Sequence, residues 1–283
     1  MSNVFVFGST GALGSLLTKY LVKKNYKVFT DKKFKKKLKN RENLKYLNQI
    51  IKSYNLDYII NLIALTDVDL CEKKRFKAKN SNFIFVRNLV KAINKYKNNT
   101  HLIHISTDQI YNGKGNHIES NVNPINYYGK SKLKGEIEAK KTISTIFRTN
   151  YIGKTKKKSN LTSWIYFNLK KKNKINAFKN IYFSPLHVNT LISLIEKSMK
   201  KKIVGVFNLG SKNKISKAEF AEKFSKIIRC NKNLINKINY EEKNLLAKRP
   251  LDMSMKINKF EKYFGLKLPY VQTEINKLRK EYK

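Results

Sequence analysis

Short apolar runs alternate with amphipathic stretches along residues 1–150. The apolar runs have the length of buried parallel strands and cover residues 4–7, 26–30, 58–64, 102–105 and 146–149. Between them, helical stretches are predicted over residues 13–21, 44–54, 83–96 and 131–141. Strands that alternate with helices pair side by side in a parallel sheet, because each helix returns the chain to the same edge. We therefore predict an α/β fold with a doubly wound parallel sheet.

The pattern is less regular after about residue 151. Residues 154–160 form a basic polar loop, and shorter elements follow: helices near residues 164–169, 191–199, 217–228, 260–268 and 271–282, and a strand over residues 204–209. Open α/β sheets bind ligands beyond the carboxyl ends of their strands, where a smaller lobe can cover them. We assign residues 1–150 and roughly 181–208 to the main domain. Residues 151–180 and 209–283 then form a smaller C-terminal substrate lobe.

The composition of the chain favours a folded cytoplasmic protein. The 283 residues are 41% hydrophobic and 12% aromatic, which is enough for a sizeable core. No apolar run approaches the roughly 18 residues of a membrane span, and the start of the chain does not resemble a secretory signal. Cys71 and Cys230 stand alone, without the spacing of a metal site, and we expect reduced structural thiols. No metal site is predicted from the residues.

The net charge of +42 raises the question of a nucleic-acid partner. Lysine and asparagine are abundant along the whole chain, whereas arginine, which matches phosphate best, is scarce. We attribute the charge to a compositional bias and expect no nucleic-acid function. A basic surface would still attract an anionic small substrate such as a nucleotide sugar.

Glycines at positions 8, 11 and 14 directly follow the first predicted strand and open a helix. Glycines there permit a tight turn and let the backbone approach a pyrophosphate, which the helix N-terminus stabilises. The GxxGxxG spacing departs from the commonest dinucleotide motif, and a simple turn with helix-packing glycines is the alternative. Asp31, at the end of the second strand, can accept the ribose hydroxyls of NAD, whereas Lys32 and Lys33 can receive a 2′-phosphate. The choice between NADH and NADPH stays open.

The spacing Tyr-x-x-x-Lys occurs four times in a chain with 16 tyrosines, and about three matches are expected by chance. Only Tyr128 and Lys132 follow a strand that ends in Ser-Thr and lie at the entry of a helix, where positions i and i+4 share a face. A ketone that accepts a hydride needs a proton donor, and a nearby ammonium makes a phenol competent. A hydroxyl from Thr107 would orient the same oxygen. In the alternative, Thr107 and Tyr128 only have structural roles.

Motifs over nearly the whole chain resemble the extended short-chain dehydrogenase/reductases, and within them the dTDP-4-dehydrorhamnose reductase family. The matching positions are Gly8 to Gly14, Asn61, Ala64, Thr66, Asp69, Glu72, Asn82, residues 104–108 and 110–113, Glu119, Asn126, Tyr128, Lys132, Glu136, residues 147–149, residues 183–185 and Arg249. The resemblance implies a Rossmann domain with a small substrate lobe. It implies reduction, by NADPH or NADH, of the 4-keto group of a nucleotide-activated 6-deoxysugar for surface polysaccharide synthesis.

The resemblance also assigns roles to residues. The catalytic set would be Thr107, Tyr128 and Lys132, and Thr107 and Arg249 would contact the substrate. The cofactor would be lined by Gly8, Thr10, Gly11, Ala12, Leu13, Asp31, Ala64, Thr66, Tyr128 and Lys132. Mg²⁺ is implied by the resemblance alone and has no assigned ligands here, and a homodimer is considered.

Alternatives within the same fold are a nucleotide-sugar epimerase or dehydratase and a non-catalytic regulatory subunit. A dehydratase usually carries Asp-Glu after the catalytic threonine, whereas this chain has Asp108 and Gln109. The intact Thr107, Tyr128 and Lys132 weigh against a regulatory subunit. Segments 150–153 and 183–187 depart from the family pattern where the substrate is expected, so the sugar stays open.

Overall fold

The computed structural model describes residues 1–30, 40–96, 99–155 and 160–282, and it describes no side chains for residues 40–43. Asp31 lies outside these residues, as do Lys32 and Lys33, so their predicted part in cofactor selection is not located. None of the described helices has the length and apolar character that a membrane span requires.

The strands follow the predicted order in the first half of the chain. They are β1 (Asn3–Phe7), β2 (Lys27–Thr30), β3 (Tyr58–Asn61), β4 (His101–Thr107), β5 (Ser144–Thr149), β6 (Tyr151–Ile152), β7 (Ile175–Phe178), β8 (Tyr182–Phe183), β9 (Leu186–His187), β10 (Gly205–Leu209), β11 (Ile215–Ser216) and β12 (Ile235–Ile238).

The α-helices are α1 (Ala12–Lys23), α2 (Asn40–Ser53), α3 (Val68–Lys73), α4 (Arg75–Lys79), α5 (Phe85–Lys95), α6 (Tyr127–Ala139), α7 (Leu161–Lys170), α8 (Val188–Lys201), α9 (Lys217–Ile227), α10 (Asn258–Phe264) and α11 (Val271–Lys277). A π-helical turn, Asn80–Ile84, separates α4 from α5. Short 3₁₀ segments cover Asp108–Ile110, Lys232–Leu234, Tyr240–Glu242 and Leu278–Lys280.

A six-stranded sheet has the order β10-β5-β4-β3-β1-β2. Strand β1 is parallel to both β2 and β3, and β3 is parallel to β4, with Phe5 opposite Phe29 and Ile59. The chain therefore starts at an inner strand, with β2 on one side and β3, β4, β5 and β10 on the other, which is the arrangement of a doubly wound fold. The predicted α/β class with a Rossmann-type parallel sheet is confirmed.

The chain forms two compact units. Unit 1 comprises Met1–Thr107, Asn126–Phe147 and Leu194–Val206, and unit 2 comprises Asp108–Ile125, Arg148–Ser193 and Phe207–Lys283. The division predicted from the sequence, with bounds near residues 150, 180 and 208, stays a prediction.

The core of unit 1 consists of side chains from one face of the sheet and from α2 and α5. Phe7 is fully buried, and its ring centroid lies 4.5 Å from that of Phe5 and 5.4 Å from that of Phe85. Strands β1, β3 and β4 are almost completely buried, which is typical of parallel strands that are covered on both faces. Their carboxyl ends are thereby fixed in a packed sheet, and the candidate site residues of this unit follow those ends.

Unit 2 has its own core and its own small strand pairs. Strand β7 is parallel to β12, β6 is parallel to β9, and β8 is antiparallel to β11. Buried aromatic residues of α9 fill the space beneath them, with Phe183 and Phe220 in an edge contact at 5.8 Å. Unit 2 therefore has a packed hydrophobic core of its own.

Candidate active site

The first glycine of the N-terminal motif turns the chain at the end of β1. Gly8 has a φ of +82°, and a Cβ atom there would lie 3.0 Å from the Leu62 carbonyl carbon. The Gly11 amide donates to the Gly8 carbonyl oxygen at 2.8 Å and closes the turn. A Cβ atom on Gly14 would lie 2.2 Å from that same oxygen. Both ends of the motif therefore need glycine for steric reasons.

Helix α1 begins directly after this turn. Gly11 is its N-cap residue with extended backbone, no side chain caps the helix, and the first turn carries no acidic residue. Thr10 is exposed at the turn, whereas Leu13 points into the core and is 6% exposed. A twelve-residue helix whose first amide groups have no side-chain partner offers a binding site for phosphate.

The loop after β3 carries Ala64 and Thr66, and Asn82 holds it in place. The Asn82 side chain accepts a hydrogen bond from the Leu65 amide at 2.8 Å and donates to the Leu65 carbonyl at 3.1 Å. It also donates to the Ser131 hydroxyl of α6 at 2.9 Å. Asn82 is completely buried in the π-helical turn. The side-chain amide of Asn82 therefore links the loop that follows β3 to helix α6, which carries Tyr128 and Lys132.

Tyr128 and Lys132 both lie on α6, in the first two turns of the helix. Asn126 is the N-cap residue, and its side chain accepts the Gly129 amide at 2.8 Å. A Cβ atom on Gly135 would lie 2.3 Å from the Asn82 carbonyl oxygen, so α6 packs closely on the π-helical turn. Tyr128 is 7% exposed and packs against Cys71 and Ala78. The predicted Tyr-x-x-x-Lys pair thus shares one helix face in a fixed position.

Lys132 is a buried cation at the end of β4. Its ammonium group donates to the Ile105 carbonyl oxygen at 2.7 Å, and the residue is 2% exposed. Burial lowers the pKa of Lys132 to about 8, and the charge of Glu136 acts in the opposite direction. Glu136 is fully buried one turn further along α6 and accepts a short hydrogen bond from the Ser106 hydroxyl. Ser106 precedes Thr107, the last residue of β4, so the same carboxylate contacts the strand end next to Thr107.

His104, two residues before Ser106, is a completely buried core residue. Its Nδ1 atom lies 3.1 Å from the Asn61 side-chain nitrogen. Complete burial holds the pKa of His104 well below its ordinary value, and the charge of Lys132 adds to this effect. His104 is therefore neutral, and Lys132 is the charged group at this strand end.

Arg249 belongs to unit 2 and lines a pocket there. The pocket has a volume of about 280 Å³, and its walls include Trp164, Phe178, Lys217 and Met253. The Arg249 guanidinium donates to the Ala247 carbonyl oxygen at 3.0 Å. The pocket is mainly apolar with a cationic margin, which suits a ligand with an apolar ring and an anionic group.

The segment that follows Thr107 is fixed within unit 2 by buried polar groups. Asp108 accepts a hydrogen bond from the Asn150 side chain at 2.9 Å. The Arg148 guanidinium donates to the Tyr111 hydroxyl at 2.9 Å and to the Glu119 carbonyl oxygen at 2.5 Å. The position of Asp108 and its neighbours in unit 2 is therefore set by the fold, not by solvent-exposed loop contacts.

Sequence reasoning did not give a role to Asn82, Glu136 or Lys217. Asn82 and Glu136 matched the family pattern without an assigned role, and their contacts are with residues 17 to 49 positions away. Lys217 carried no signal, because it is one of 61 basic residues. Among the described residues, no group of His, Cys, Asp and Glu side chains could hold a metal ion. We therefore assign no ligands to the Mg²⁺ that the resemblance implies.

Comparison with known proteins identifies relatives along the full length of the chain. The family model described as the RmlD substrate binding domain matches residues 1–283. The spore coat polysaccharide biosynthesis protein SpsK of Bacillus subtilis is 33% identical over 157 residues, and this match spans 54% of each protein. The dTDP-4-dehydrorhamnose reductase of Aggregatibacter actinomycetemcomitans is 25% identical over 297 residues and 99% of both chains.

A solved structure shows the same architecture. The dTDP-4-dehydrorhamnose reductase from Bacillus anthracis, in complex with NADP, superposes with a TM-score of 0.89 at 27% identity, over 99% of this chain and 100% of that chain. The family resemblance that the motifs indicated is confirmed.

Proposed function

This chain belongs to the family of the RmlD substrate binding domain, and we propose that it reduces the 4-keto group of a nucleotide-activated 6-deoxysugar with NADPH or NADH. The observation that carries the proposal is the pair on α6: Tyr128 at the first turn and Lys132 one turn later, with its ammonium 2.7 Å from the Ile105 carbonyl. The names of the relatives and the NADP bound to the B. anthracis enzyme support the substrate and cofactor classes. The product would serve surface polysaccharide synthesis.

In the proposed reaction, Tyr128 donates a proton to the carbonyl oxygen of the substrate. The reduced nicotinamide, when bound, supplies a hydride to the carbonyl carbon. The C=O group becomes an alcohol, because the carbon gains the hydride and the oxygen gains the phenolic proton of Tyr128. Thr107 donates a hydrogen bond to the same oxygen and orients it towards the phenol.

Lys132 assists because it carries positive charge where tyrosinate forms. A phenol has an ordinary pKa near 10 and gives up its proton more readily beside an ammonium group. The backbone of β4 fixes the ammonium through the Ile105 carbonyl, and the buried Glu136 keeps it charged. The same ammonium has donors left for the ribose of the nicotinamide.

The glycine turn and the loop after β3 fit a dinucleotide. Gly8, Gly11 and Gly14 allow the backbone to approach a pyrophosphate, and the amide groups at the start of α1 face it. Thr10, Ala12, Leu13, Ala64 and Thr66 would complete the lining of this site. Asp31 would contact the adenosine ribose.

Arg249 would bind the nucleotide part of the substrate in the pocket of unit 2. We place the reaction in the cytoplasm because it consumes a reduced dinucleotide. A homodimer stays a prediction, which light scattering of the purified protein would test.

The test is turnover of dTDP-4-dehydro-6-deoxy-L-mannose, followed through the loss of reduced-nicotinamide absorbance with NADPH and with NADH. Tyr128→Phe should lose on the order of 10²- to 10⁴-fold in kcat and keep its affinity for the cofactor. Tyr127→Phe is the matched control, because its ring packs on the Arg75 guanidinium at 5.3 Å and has no part in the proposed site.

Near-normal turnover by Tyr128→Phe would refute the assignment of the proton donor. A wild-type protein that binds NADPH but reduces no 4-keto nucleotide sugar would refute the reductase proposal and favour a non-catalytic subunit.

A further inference from the structure

Lys217 is a second lysine, after Lys132, whose side chain has unusual surroundings. It has no role in the proposed reaction. It is the first residue of α9, directly after the N-cap residue Ser216. Ser216 and Glu219 exchange hydrogen bonds in a capping box, and the Lys217 amide donates to the Ile181 carbonyl oxygen at 2.9 Å. The backbone at Lys217 is therefore held by the capping box and by the hydrogen bond to Ile181.

The ammonium group of Lys217 lies against an aromatic wall. Its Nζ atom is 3.2 Å from the centroid of the Phe183 ring, and Phe183 is completely buried. Burial lowers the pKa of Lys217 to about 8, and the charge of Asp108 opposes the shift. No described residue accepts a hydrogen bond from this ammonium. A cation with three donors is thus desolvated and held by a ring on one side.

Other lysines of unit 2 that come close to a carboxylate form ion pairs with it. The Lys214 ammonium lies 2.5 Å from the Asp252 carboxylate, and the Lys277 ammonium lies 2.5 Å from the Glu274 carboxylate. In these pairs, a carboxylate of the protein neutralises the ammonium and accepts its hydrogen bond. Lys217 has no such partner among the described residues, and it is part of the lining of the pocket that also contains Arg249.

The wall of this pocket is positive and carries no acid. Lys217, Lys243 and Arg249 are part of the lining, and none of its described lining residues is Asp or Glu. The remaining wall is mainly apolar, with Trp164 and Phe178 among the aromatic members. An anionic group that enters the pocket meets cations and no repelling carboxylate on its wall.

We propose that Lys217 binds an oxyanion of the substrate inside this pocket and makes the pocket selective for ligands that carry a phosphate or a carboxylate. The proposal rests on the proposed function, because it assumes that the pocket receives the nucleotide sugar. An oxyanion would accept the free ammonium donors, and such charge-assisted hydrogen bonds are stronger than neutral ones. The phosphates of the nucleotide and a carboxylate on the sugar are the sources with this chemistry.

Ligand binding can be measured without turnover. Trp164 is the only tryptophan of the chain and lines the pocket, so its fluorescence reports occupancy, and isothermal titration calorimetry gives the affinity independently. Wild type, Lys217→Met and Lys217→Arg are titrated with thymidine and with dTDP. Lys226→Met is the matched control, because it removes the same charge from an exposed position of the same helix.

If phosphate is the partner, Lys217→Met should bind dTDP roughly tenfold to hundredfold more weakly and bind thymidine as the wild type does. Lys217→Arg should recover most of the affinity, and Lys226→Met should leave it unchanged. If carboxylate is the partner, dTDP affinity stays constant in Lys217→Met. A wild-type preference for dTDP-glucuronic acid over dTDP-glucose is then lost in Lys217→Met.

Equal binding of all these ligands by wild type and Lys217→Met would overturn the inference and leave the proposed function standing. An equal loss in Lys226→Met would also overturn it, because the effect would then come from net charge. A wild-type protein that binds none of the nucleotides, and reduces no 4-keto nucleotide sugar, would refute the proposed function together with the inference.

Discussion

Replacement of Glu136 by glutamine should shift the pH dependence of catalysis without a change of shape. Glu136 is buried one helical turn after Lys132, and its charge raises the pKa of Lys132 against the effect of burial. Glutamine has the same size, and its carbonyl oxygen can still accept the hydrogen bond from the Ser106 hydroxyl. The substitution therefore removes the negative charge and keeps the contact with β4.

The size of the shift follows from the spacing of the charges. Residues four positions apart on a helix have Cβ atoms about 6 Å apart. At an effective dielectric constant of about 20, opposite unit charges at that distance attract by about 2.8 kcal/mol, or about two pKa units. The Glu136 charge is shared with the Ser106 hydroxyl, so we expect the pKa of Lys132, about 8 in the wild type, to fall in Glu136→Gln by this amount or less.

The sign of the effect on rate is set by the form of Lys132 that assists Tyr128. Lysine is charged below its pKa and neutral above it, so the rate of reduction should fall as the pH rises through the pKa of Lys132. A fall of about one to two pKa units from the wild-type value of about 8 lowers the charged fraction at about pH 7.5 roughly threefold to twenty-fivefold in Glu136→Gln. Near pH 5.5 the variant and the wild type should have similar rates.

The assay is the pH profile of kcat/KM for the 4-keto substrate at saturating cofactor, which reports groups of the enzyme before substrate binds. Ser106→Ala is the control, because it removes the hydrogen bond and keeps the charge of Glu136. The reasoning is refuted if the alkaline limb of Glu136→Gln lies at the same pH as that of the wild type. It is also refuted if Ser106→Ala moves the limb as far as Glu136→Gln does.

Two further substitutions test the cofactor site. Gly14→Ala places a Cβ atom 2.2 Å from the Gly8 carbonyl oxygen, so NADPH should bind at least about tenfold more weakly in a fluorescence titration. Gly265→Ala is its control, because it strains a left-handed backbone (φ +63°) without a steric clash and lies outside the proposed cofactor site. Unchanged binding by Gly14→Ala would contradict the prediction. Asn82→Ala removes three hydrogen bonds, and it should lower the free energy of unfolding in urea by about 2–4 kcal/mol. Asn94→Ala, which loses one exposed bond, should cost under about 1 kcal/mol, and equal losses would contradict the argument.

The sheet and the glycine turn could be predicted because their causes are local. An apolar run that ends in Gly8 identifies a buried strand and its turn, and the structure places β1 and α1 within two residues of the expected bounds. The pair Tyr128 and Lys132 was singled out by its position after β4, and both residues lie on one helix. In each case, the information lies within a window of about 30 residues of the chain.

Contacts between distant residues could not be predicted. The sequence favoured a strand over residues 58–64, but β3 ends at Asn61, because the Asn82 side chain holds the backbone of Leu65 in a loop. The π-helical turn Asn80–Ile84 has no sequence signal of its own, and the helix predicted from the sequence begins only at residue 83. In unit 2, strands of two residues pair across long separations, as Phe183 does with Ile215, and such short strands leave no periodic pattern.

The lysines at positions 132 and 217 show why composition concealed part of the site. Both have a pKa lowered to about 8 by burial, which sets them apart in a chain with 61 basic residues. Lys132 has a carbonyl acceptor and a buried carboxylate one turn away, so the protein itself stabilises its charge. The charge of Asp108 also acts on Lys217, but among the described residues this ammonium has no hydrogen-bond acceptor, and it lies over an aromatic ring and lines a pocket. Desolvation of a cation is unfavourable unless an anion stabilises it. This difference is the reason for proposing a role in proton transfer for Lys132 and a role in ligand binding for Lys217.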